Sequence, residues 1–580
     1  MTFLLLSCAS VAWLVVAWHW RATRPDFGEG TVQFAGQPLQ QFRYPLEEEK
    51  TPRTRFVVLQ NVELGAWHPS VFAIFPEDAL WSICVNGHAI EAPGLPLSVA
   101  HHEGRSVDFG RWLHPGSNQI EFEMEAYWGH AKLHLYASPW DGMSIVHAVL
   151  VVLAIALSGA FVLRVVQIEL PPGEAALLLG GFVLRYLYLS GTPYFVRAYD
   201  WWGHEAYVDY VAQHFALPDA RTGWENFQPP LYYLVVGGLT RLFRISGENQ
   251  FTFWQVFSLA CSTGVLVAGA WIARILFPGD PKWRLYLLAV LAVAPPLVFN
   301  ASRVSNDVLL SLLEFACLGL LLQFWKSRGA MSWAALSVLT GLALLTKANA
   351  LVLVPVSLLC LLLAPTIDGQ WKWKAAIGLL VAAGVIAGWY YVPRFGRESG
   401  VDSFIVGNIH QLNPKGHIDG VFTKSLVFNP FRVVRYPFAD PWGPRHEYFL
   451  EYFFRSIFIG EPLGPTYRLI ARIYLFVALL TVPLVLAGLW ISGMRRKGCD
   501  VPILNAAVGI FFAQWVFVQI ASYTSSQDFR FSALLLVPFA YFYFCGAALL
   551  PEKWGRVAWF ALQLLILNSG IYLLEVALEG

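Results

Sequence analysis

Four stretches of this sequence carry ionisable side chains where an otherwise apolar chain has few. In "RAYDWWGHEAYVDYVAQHFALPDARTGWENFQPPLYYL" (197–234), Asp200 and His204 are four residues apart. On a helix they share one face, which Tyr207, Val208 and Val211 continue. A carboxylate placed this way can act as a general base or orient a hydroxyl. It can equally cap the helix and offset its dipole, and spacing alone favours the cap. His204 reads as an interfacial hydrogen-bonder or, with Asp200 and Glu205, as part of a divalent-ion site. Gln228 precedes Pro229 and Pro230, which suit the first turn of a helix. Asp307 in "SRVSNDVLL" stands just before an apolar run, where Ser305 and Asn306 can also cap a helix. Lys347 sits inside a long apolar run, "LALLTKANALVL". A lysine there is costly in lipid and marks a functional site by default, although snorkelling at a break between two spans explains it as well. Arg530 in "SSQDFRF" precedes another apolar run. Two carboxylates and two cations at the ends of different runs suit a lipid-linked phosphate: the cations hold the phosphate and a carboxylate activates a hydroxyl.

The elements that must position these groups are membrane helices. Of the 580 residues, 56% are hydrophobic and 14% charged, and the mean hydropathy is +0.51. A soluble chain carries about 25% charged residues. The net charge of +1 lacks the basic face that a nucleic-acid partner requires. The seven cysteines are scattered without a CxxC, which indicates neither a disulfide framework nor a zinc ribbon. The first segment, "MTFLLLSCASVAWLVVAWHWRATRP", has an apolar core but no preceding Lys or Arg, so it reads as an uncleaved span rather than a signal peptide. Its "LLSC" is only a faint lipoprotein signal.

Runs long enough to cross about 30 Å of hydrocarbon fall near 3–18, 143–167, 175–192, 251–276, 284–301, 308–326, 331–346, 348–364, 375–392, 469–491, 502–522, 531–550 and 557–576, which gives about 13 spans. With the N-terminus inside, every loop assigned to the cytoplasm is basic, from Arg164 through Lys282 and Arg284 to Lys553 and Arg556. Arg21 and Arg24 are a local exception. This register places 25–140, 193–250, 302–307, 393–468 and 523–531 on the outer face. Counting the short stretch 229–245 as a span would invert everything after it, so it reads as an interfacial or re-entrant helix. Residues 25–140 form a separate β unit. "NQIEFEMEA" and "AKLHLYA" alternate with a period of two, and "VNGH" and "HPGSN" mark turns between strands. The pattern resembles the jelly-roll sandwich found as an accessory module in glycoside hydrolases, where it binds sugar or, more often, braces a neighbour. The expected architecture is a polytopic α-helical membrane protein (span 1–24, core 141–580) with an extracytoplasmic all-β sandwich near its N-terminus.

Residues 143–580 resemble a known family, the GT-C fold glycosyltransferases, close to the dolichyl-phosphate-mannose–protein mannosyltransferase and aminoarabinose-transferase group. "YDWWGHEAYVDYVAQHFALP…QPPLYY" is similar to that family's first outer loop, "SRVSNDVLL" to its second acidic segment and "GLALLTKANAL" to its span break. "YFFRSIFIGEP" and "DFRF" resemble later segments, and all five occur in family order. The resemblance implies a cell-envelope enzyme of the plasma membrane that transfers a sugar from a polyprenyl-phosphate donor to a glycan, lipid or protein acceptor on the extracytoplasmic face, commonly with inversion. It implies Asp200 as base, Asp307 as a second acid, and Lys347 and Arg530 on the donor phosphate. His204, Gln228 and Glu461 would be further substrate contacts. Asp200, Asp307 and His204 would be the ligands of any divalent metal. Asp-Trp-Trp stands where better-known members have Asp-Glu, and a β unit precedes the core; both leave the acceptor open. Two other classes compete: a transporter or flippase for a lipid-linked glycan, and a non-catalytic glycan-binding membrane protein that reads sugar through Trp67, Trp112 or Trp128. Transporters show inverted repeats and mid-membrane polar sites, whereas here the polar segments gather on one face.

Overall fold

The computed structural model describes residues 2–578, apart from 50–53, 77–78, 92–94, 96, 99–103, 128–129, 166, 168, 199, 366, 396–416, 439–446, 461–467 and 496–497. The chain divides into two compact units. One comprises Met1–Pro171 with Leu189–Arg197 and Glu575–Gly580; the other comprises Pro172–Tyr188 and Ala198–Leu574.

The first unit holds the β region and two membrane helices. Its strands are β1 (Asp26–Phe34), β2 (Gln40–Arg43), β3 (Leu46–Glu49), β4 (Thr54–Leu64), β5 (Val71–Pro76), β6 (Ala79–Val85), β7 (His88–Ala89), β8 (Leu97–Ser98), β9 (Arg105–Asp108), β10 (Gly116–Ala126) and β11 (His130–Ala137). One sheet runs β2-β1-β4-β10-β6-β7 with β8 beside β6; the other runs β3-β11-β5-β9, and every pairing is antiparallel. The alternation read from β10 is observed: Ile120, Phe122, Met124 and Ala126 are buried. They join Val58 of β4 with Phe72, Ile74 and Leu135 of the other sheet in one core, so the two sheets form a sandwich. Asn86 and Gly87 both have positive φ, 50° and 82°, as a two-residue turn between β6 and β7 requires. Asp141 then ties the sandwich to the helix Gly142–Val165. Its Oδ2 accepts from the backbone N–H of Ser70 (2.7 Å) and Val71 (3.1 Å), and its Oδ1 accepts from that of Met143 (2.8 Å).

The expected spans all appear as helices, but not all as complete ones. Among the described residues, nine helices are long and apolar enough to cross a membrane: Leu4–Thr23, Gly142–Val165, Asn249–Leu276, Asn306–Ser327, Gly369–Pro393, Arg468–Arg495, Asp500–Ile520, Thr524–Ala547 and Glu552–Ala577. The protein is therefore a multi-pass membrane protein. The count of about 13 is not reached, because four expected spans fall short. Pro172–Gly191 carries Glu174 and Arg185. The run at 284–301 breaks into Pro281–Val293 and Pro295–Phe299. Ala330–Leu344 and Ala348–Leu363 are short. The stretch 229–245 contains the helix Leu231–Leu242, whose 12 residues reach only about 18 Å at 1.5 Å per residue, as a non-spanning helix should.

Both breaks in the second unit are explained by where their carbonyls find donors. Pro295 and Pro296 have no N–H to offer Leu291 and Ala292 one helical turn earlier. The fully buried guanidinium of Arg185 supplies the missing donors, bonding Ala292 O at 2.9 Å and Leu291 O at 3.2 Å, while its Nε bonds Ser262 Oγ at 2.9 Å. After Leu344 the last carbonyls of a second helix are likewise capped from outside. Tyr391 Oη donates to Leu344 O (2.9 Å), the Leu231 N–H to Leu345 O (2.9 Å) and Asn306 Nδ2 to Thr346 O (3.2 Å). Irregular backbone at membrane depth persists only where such partners exist, and this break presents Lys347.

Candidate functional site

The helix Trp201–His214 buries His204, Tyr207, Val208 and Val211, the face read from the sequence. It packs on Leu231–Leu242, with the Tyr207 and Tyr233 rings stacked 3.7 Å apart. The expected cap is not made. Asp200 precedes the helix with φ 59°, in the left-handed region, and makes no side-chain cap bond. A capping residue is normally extended. Its Oδ1 instead accepts from Trp224 Nε1 at 2.8 Å, which pins Asp200 to the loop between the two helices.

His204 is buried, with Nδ1 2.8 Å from Tyr233 Oη. Burial pushes its pKa down to about 3, helped by the charges of Lys347 and Arg530 and opposed by Asp307. The imidazole is thus neutral at physiological pH. The charges acting on it come from three segments remote in sequence, which shows that these segments converge.

Asp307 and Lys347 meet as a buried ion pair, Nζ to Oδ1 2.6 Å. Ser305, not Asp307, caps the helix Asn306–Ser327, its Oγ accepting from the Asp307 N–H at 3.2 Å. Lys347 is neither snorkelling nor alone. Its ammonium also lies 5.0 Å from the Phe531 ring, and the Arg530 guanidinium lies 4.7 Å from the same ring. The two cations thus flank one aromatic side chain. Asn306 Nδ2 bonds Gln228 Oε1 at 3.3 Å, linking the Pro-Pro segment to the same cluster.

Glu225 is a member of the cluster that reading by spacing passes over. It is 4% exposed, and Gln228 donates to its carboxyl. Its Oε2 is buried with no hydrogen-bond partner among the described residues. Burial, then the charge of Asp200, pushes its pKa up to about 8, against the pull of Lys347. Gly203 makes room for it: a Cβ there would stand 2.8 Å from Glu225 Cγ. The sequence signal was present in "WENFQPP", an acid three residues before Gln228, with Trp224 before it and Phe227 and the Pro-Pro pair after it.

The structure therefore brings together Asp200, His204, Gln228, Asp307, Lys347 and Arg530, with Glu225 and Asn306 added. Glu461 lies outside the described residues. Among the described residues no three His, Cys, Asp or Glu side chains are grouped to hold a metal ion. Asp307 is engaged by Lys347 and His204 by Tyr233, so the expected ligands do not form a ready metal set.

No family model and no curated protein matches the chain. Solved structures do. An oligosaccharyltransferase of Archaeoglobus fulgidus, in complex with Zn and sulfate, is 13% identical with a TM-score of 0.43, over 69% of this chain and 53% of its own. ArnT of Cupriavidus metallidurans bound to undecaprenyl phosphate is 14% identical with a TM-score of 0.33, over 68% and 77%. The arabinosyltransferase EmbB of Mycobacterium smegmatis is 12% identical with a TM-score of 0.30, over 99% and 64%. The chain spans about half the length of the oligosaccharyltransferase it matches. Likeness at this level assigns no activity.

Proposed function

We propose that the protein is a membrane glycosyltransferase of GT-C-like fold whose core lies within residues 141–580. It would move a sugar from a polyprenyl-phosphate donor to an acceptor hydroxyl or amine on the extracytoplasmic side of the plasma membrane. One observation carries the reading: a part-buried carboxylate, Asp200, shares a cluster with two cations, Lys347 at the break after Ala330–Leu344 and Arg530 in Thr524–Ala547. Cations beside an aromatic ring in a low-dielectric site suit a phosphate that must leave with its charge. With Asp307 paired to Lys347, Asp200 is the carboxylate left to act as base, which suits a single displacement rather than a paired hydrolytic mechanism.

In this reaction the acceptor oxygen or nitrogen attacks the anomeric carbon opposite the phosphate. The carbon–oxygen bond to phosphate breaks, and the bonding pair leaves with the polyprenyl phosphate. The acceptor proton passes to Asp200. Trp224 holds Oδ1 of that carboxylate, which leaves Oδ2 to take the proton. Lys347 and Arg530 neutralise the departing phosphate. Asp307 holds Lys347 in place as its counter-ion, and Gln228 with Asn306 joins the base loop to the phosphate end. His204, being neutral, fixes the base helix through Tyr233.

The test is transfer by purified protein supplied with a panel of polyprenyl-phosphate sugars, together with mass analysis for a lipid-linked sugar retained from the membrane. Asp200→Asn should abolish transfer while the protein still folds and inserts. Transfer at the wild-type rate by that variant would refute the assignment of the base.

A further inference from the structure

Glu225 has no part in the chemistry above, yet it is the most unusual group in the cluster. It is a buried carboxyl with one oxygen lacking a partner among the described residues. The charged groups acting on it are Asp200 at the start of Trp201–His214, Asp307 at the start of Asn306–Ser327, and Lys347 at the span break. Lys347 is already committed to Asp307. An ionised Glu225 would be a third negative charge in a cluster of two cations, of which Lys347 is the one acting on it, in surroundings that cannot solvate it. It would also cancel the field that a phosphate needs from Lys347. A protonated Glu225 does neither, and it adds a donor next to the cation.

We propose that Glu225 is a neutral carboxylic acid that donates a hydrogen bond from Oε2 to an oxygen of the lipid phosphate. The proposal rests on the reading of this cluster as a polyprenyl-phosphate site. A carboxyl kept neutral by its surroundings can serve as a strong donor to developing negative charge. An anionic phosphate oxygen is the strongest acceptor such a substrate offers. Gln228 orients the group by holding the same carboxyl. Gly203 leaves the space that lets it approach the base helix.

Infrared difference spectroscopy on the whole protein in nanodiscs tests the protonation directly. The wild type at neutral pH should show the carbonyl stretch of a buried acid, shifted by hydrogen–deuterium exchange and missing in Glu225→Gln. Alkaline titration should remove the band, and Asp200→Asn, which takes away a neighbouring negative charge, should move the midpoint downward. A short-chain polyprenyl phosphate is the binding probe. Its addition should shift the band to lower frequency. Above the midpoint the wild type should lose affinity by up to about tenfold per pH unit. Glu225→Gln keeps an N–H donor and cannot ionise, so it should bind without that alkaline loss. The phosphate's own titration is common to both proteins. Absence of the band at neutral pH, a band unmoved by bound probe, or the same alkaline loss in Glu225→Gln would each overturn the proposal alone. A wild type that shows the band but does not bind the probe would overturn the proposal together with the reading beneath it.

Discussion

Replacing Lys347 with Met separates what holds the site together from what acts in it. The side chain keeps its length and packing and loses its charge. Lys347 Nζ lies 2.6 Å from Asp307 Oδ1, with the two side chains 9% and 5% exposed, so the charge left behind is a buried one. Of the contacts to Asp307, Ser305 Oγ at 3.3 Å from Oδ2 remains, and one hydroxyl does not neutralise a carboxylate. Breaking a buried pair by removing one partner costs about 3–5 kcal/mol, most of it the desolvation of the stranded charge. Removing both charges avoids that cost. Lys347→Met with Asp307→Asn should therefore be more stable than Lys347→Met alone, and within about 1 kcal/mol of the wild type. Reversible unfolding of the purified protein in mixed micelles, followed by far-UV circular dichroism, measures all three. Binding of a short-chain polyprenyl phosphate is measured beside it. Stability should return in the double variant and binding should not, because the ammonium proposed to hold the phosphate is still missing. A single variant as stable as the wild type would refute the buried pair. A double variant that binds the lipid normally would refute Lys347 as the phosphate's ligand.

Other perturbations probe the supports around that pair. Tyr233→Phe removes the hydroxyl at His204 Nδ1 and should cost about 1–3 kcal/mol in the same unfolding assay. Arg185→Met strands the carbonyls of Leu291 and Ala292 and should cost about 2–6 kcal/mol for the two together, seen as loss of monodisperse protein or a lowered unfolding midpoint. Gly203→Ala puts a Cβ 2.8 Å from Glu225 Cγ and 3.0 Å from Trp224 Cδ1. It should cost about 1–3 kcal/mol of overpacking and reduce transfer by displacing the Trp224–Asp200 contact, with helical content unchanged. The pH dependence of stability has two opposed limbs. His204 falls from 6.5 to about 3 on folding, so the unfolded chain binds the extra proton and stability is lost as pH drops through that window. Glu225 rises from 4.5 to about 8, so the folded chain binds the extra proton and stability is lost as pH climbs through that window. Each contributes about 1.4 kcal/mol per pH unit. They cancel between pH 4.5 and 6.5, and Glu225→Gln should remove the share of the alkaline decline that Glu225 contributes.

Much of the fold was readable because it follows from periodicity. The alternation of Ile120, Phe122 and Met124 with three glutamates fixes which face of β10 is inside, and the Asn86-Gly87 pair supplies the positive φ of its turn. The face of Trp201–His214 followed from four-residue spacing. The helix bounds were misread where apolar composition hides a break. Nothing in "LAVLAVAPPLVFN" tells that Pro295-Pro296 ends the helix rather than kinking it. The decision lies with Arg185, about a hundred positions earlier in the chain, whose guanidinium makes the break affordable by taking both stranded carbonyls.

The site was harder to read for the same physical reason. Each ionisable residue, taken alone, has a local explanation that spacing cannot dismiss: a cap for Asp200, a cap for Asp307, snorkelling for Lys347. What rules these out is non-local. Ser305 makes the cap that Asp307 was free to make. The Asp200 backbone is left-handed, and its carboxylate is spent on Trp224, 24 residues on. Lys347 has its counter-charge 40 residues before it. A carboxylate that declines its local helix end and is held instead by a distant side chain has lost the bland reason for its position. Glu225 carries the argument furthest, since burial without a partner among the described residues is a cost that folding alone gives no reason to keep. A bound substrate oxygen would supply the missing partner.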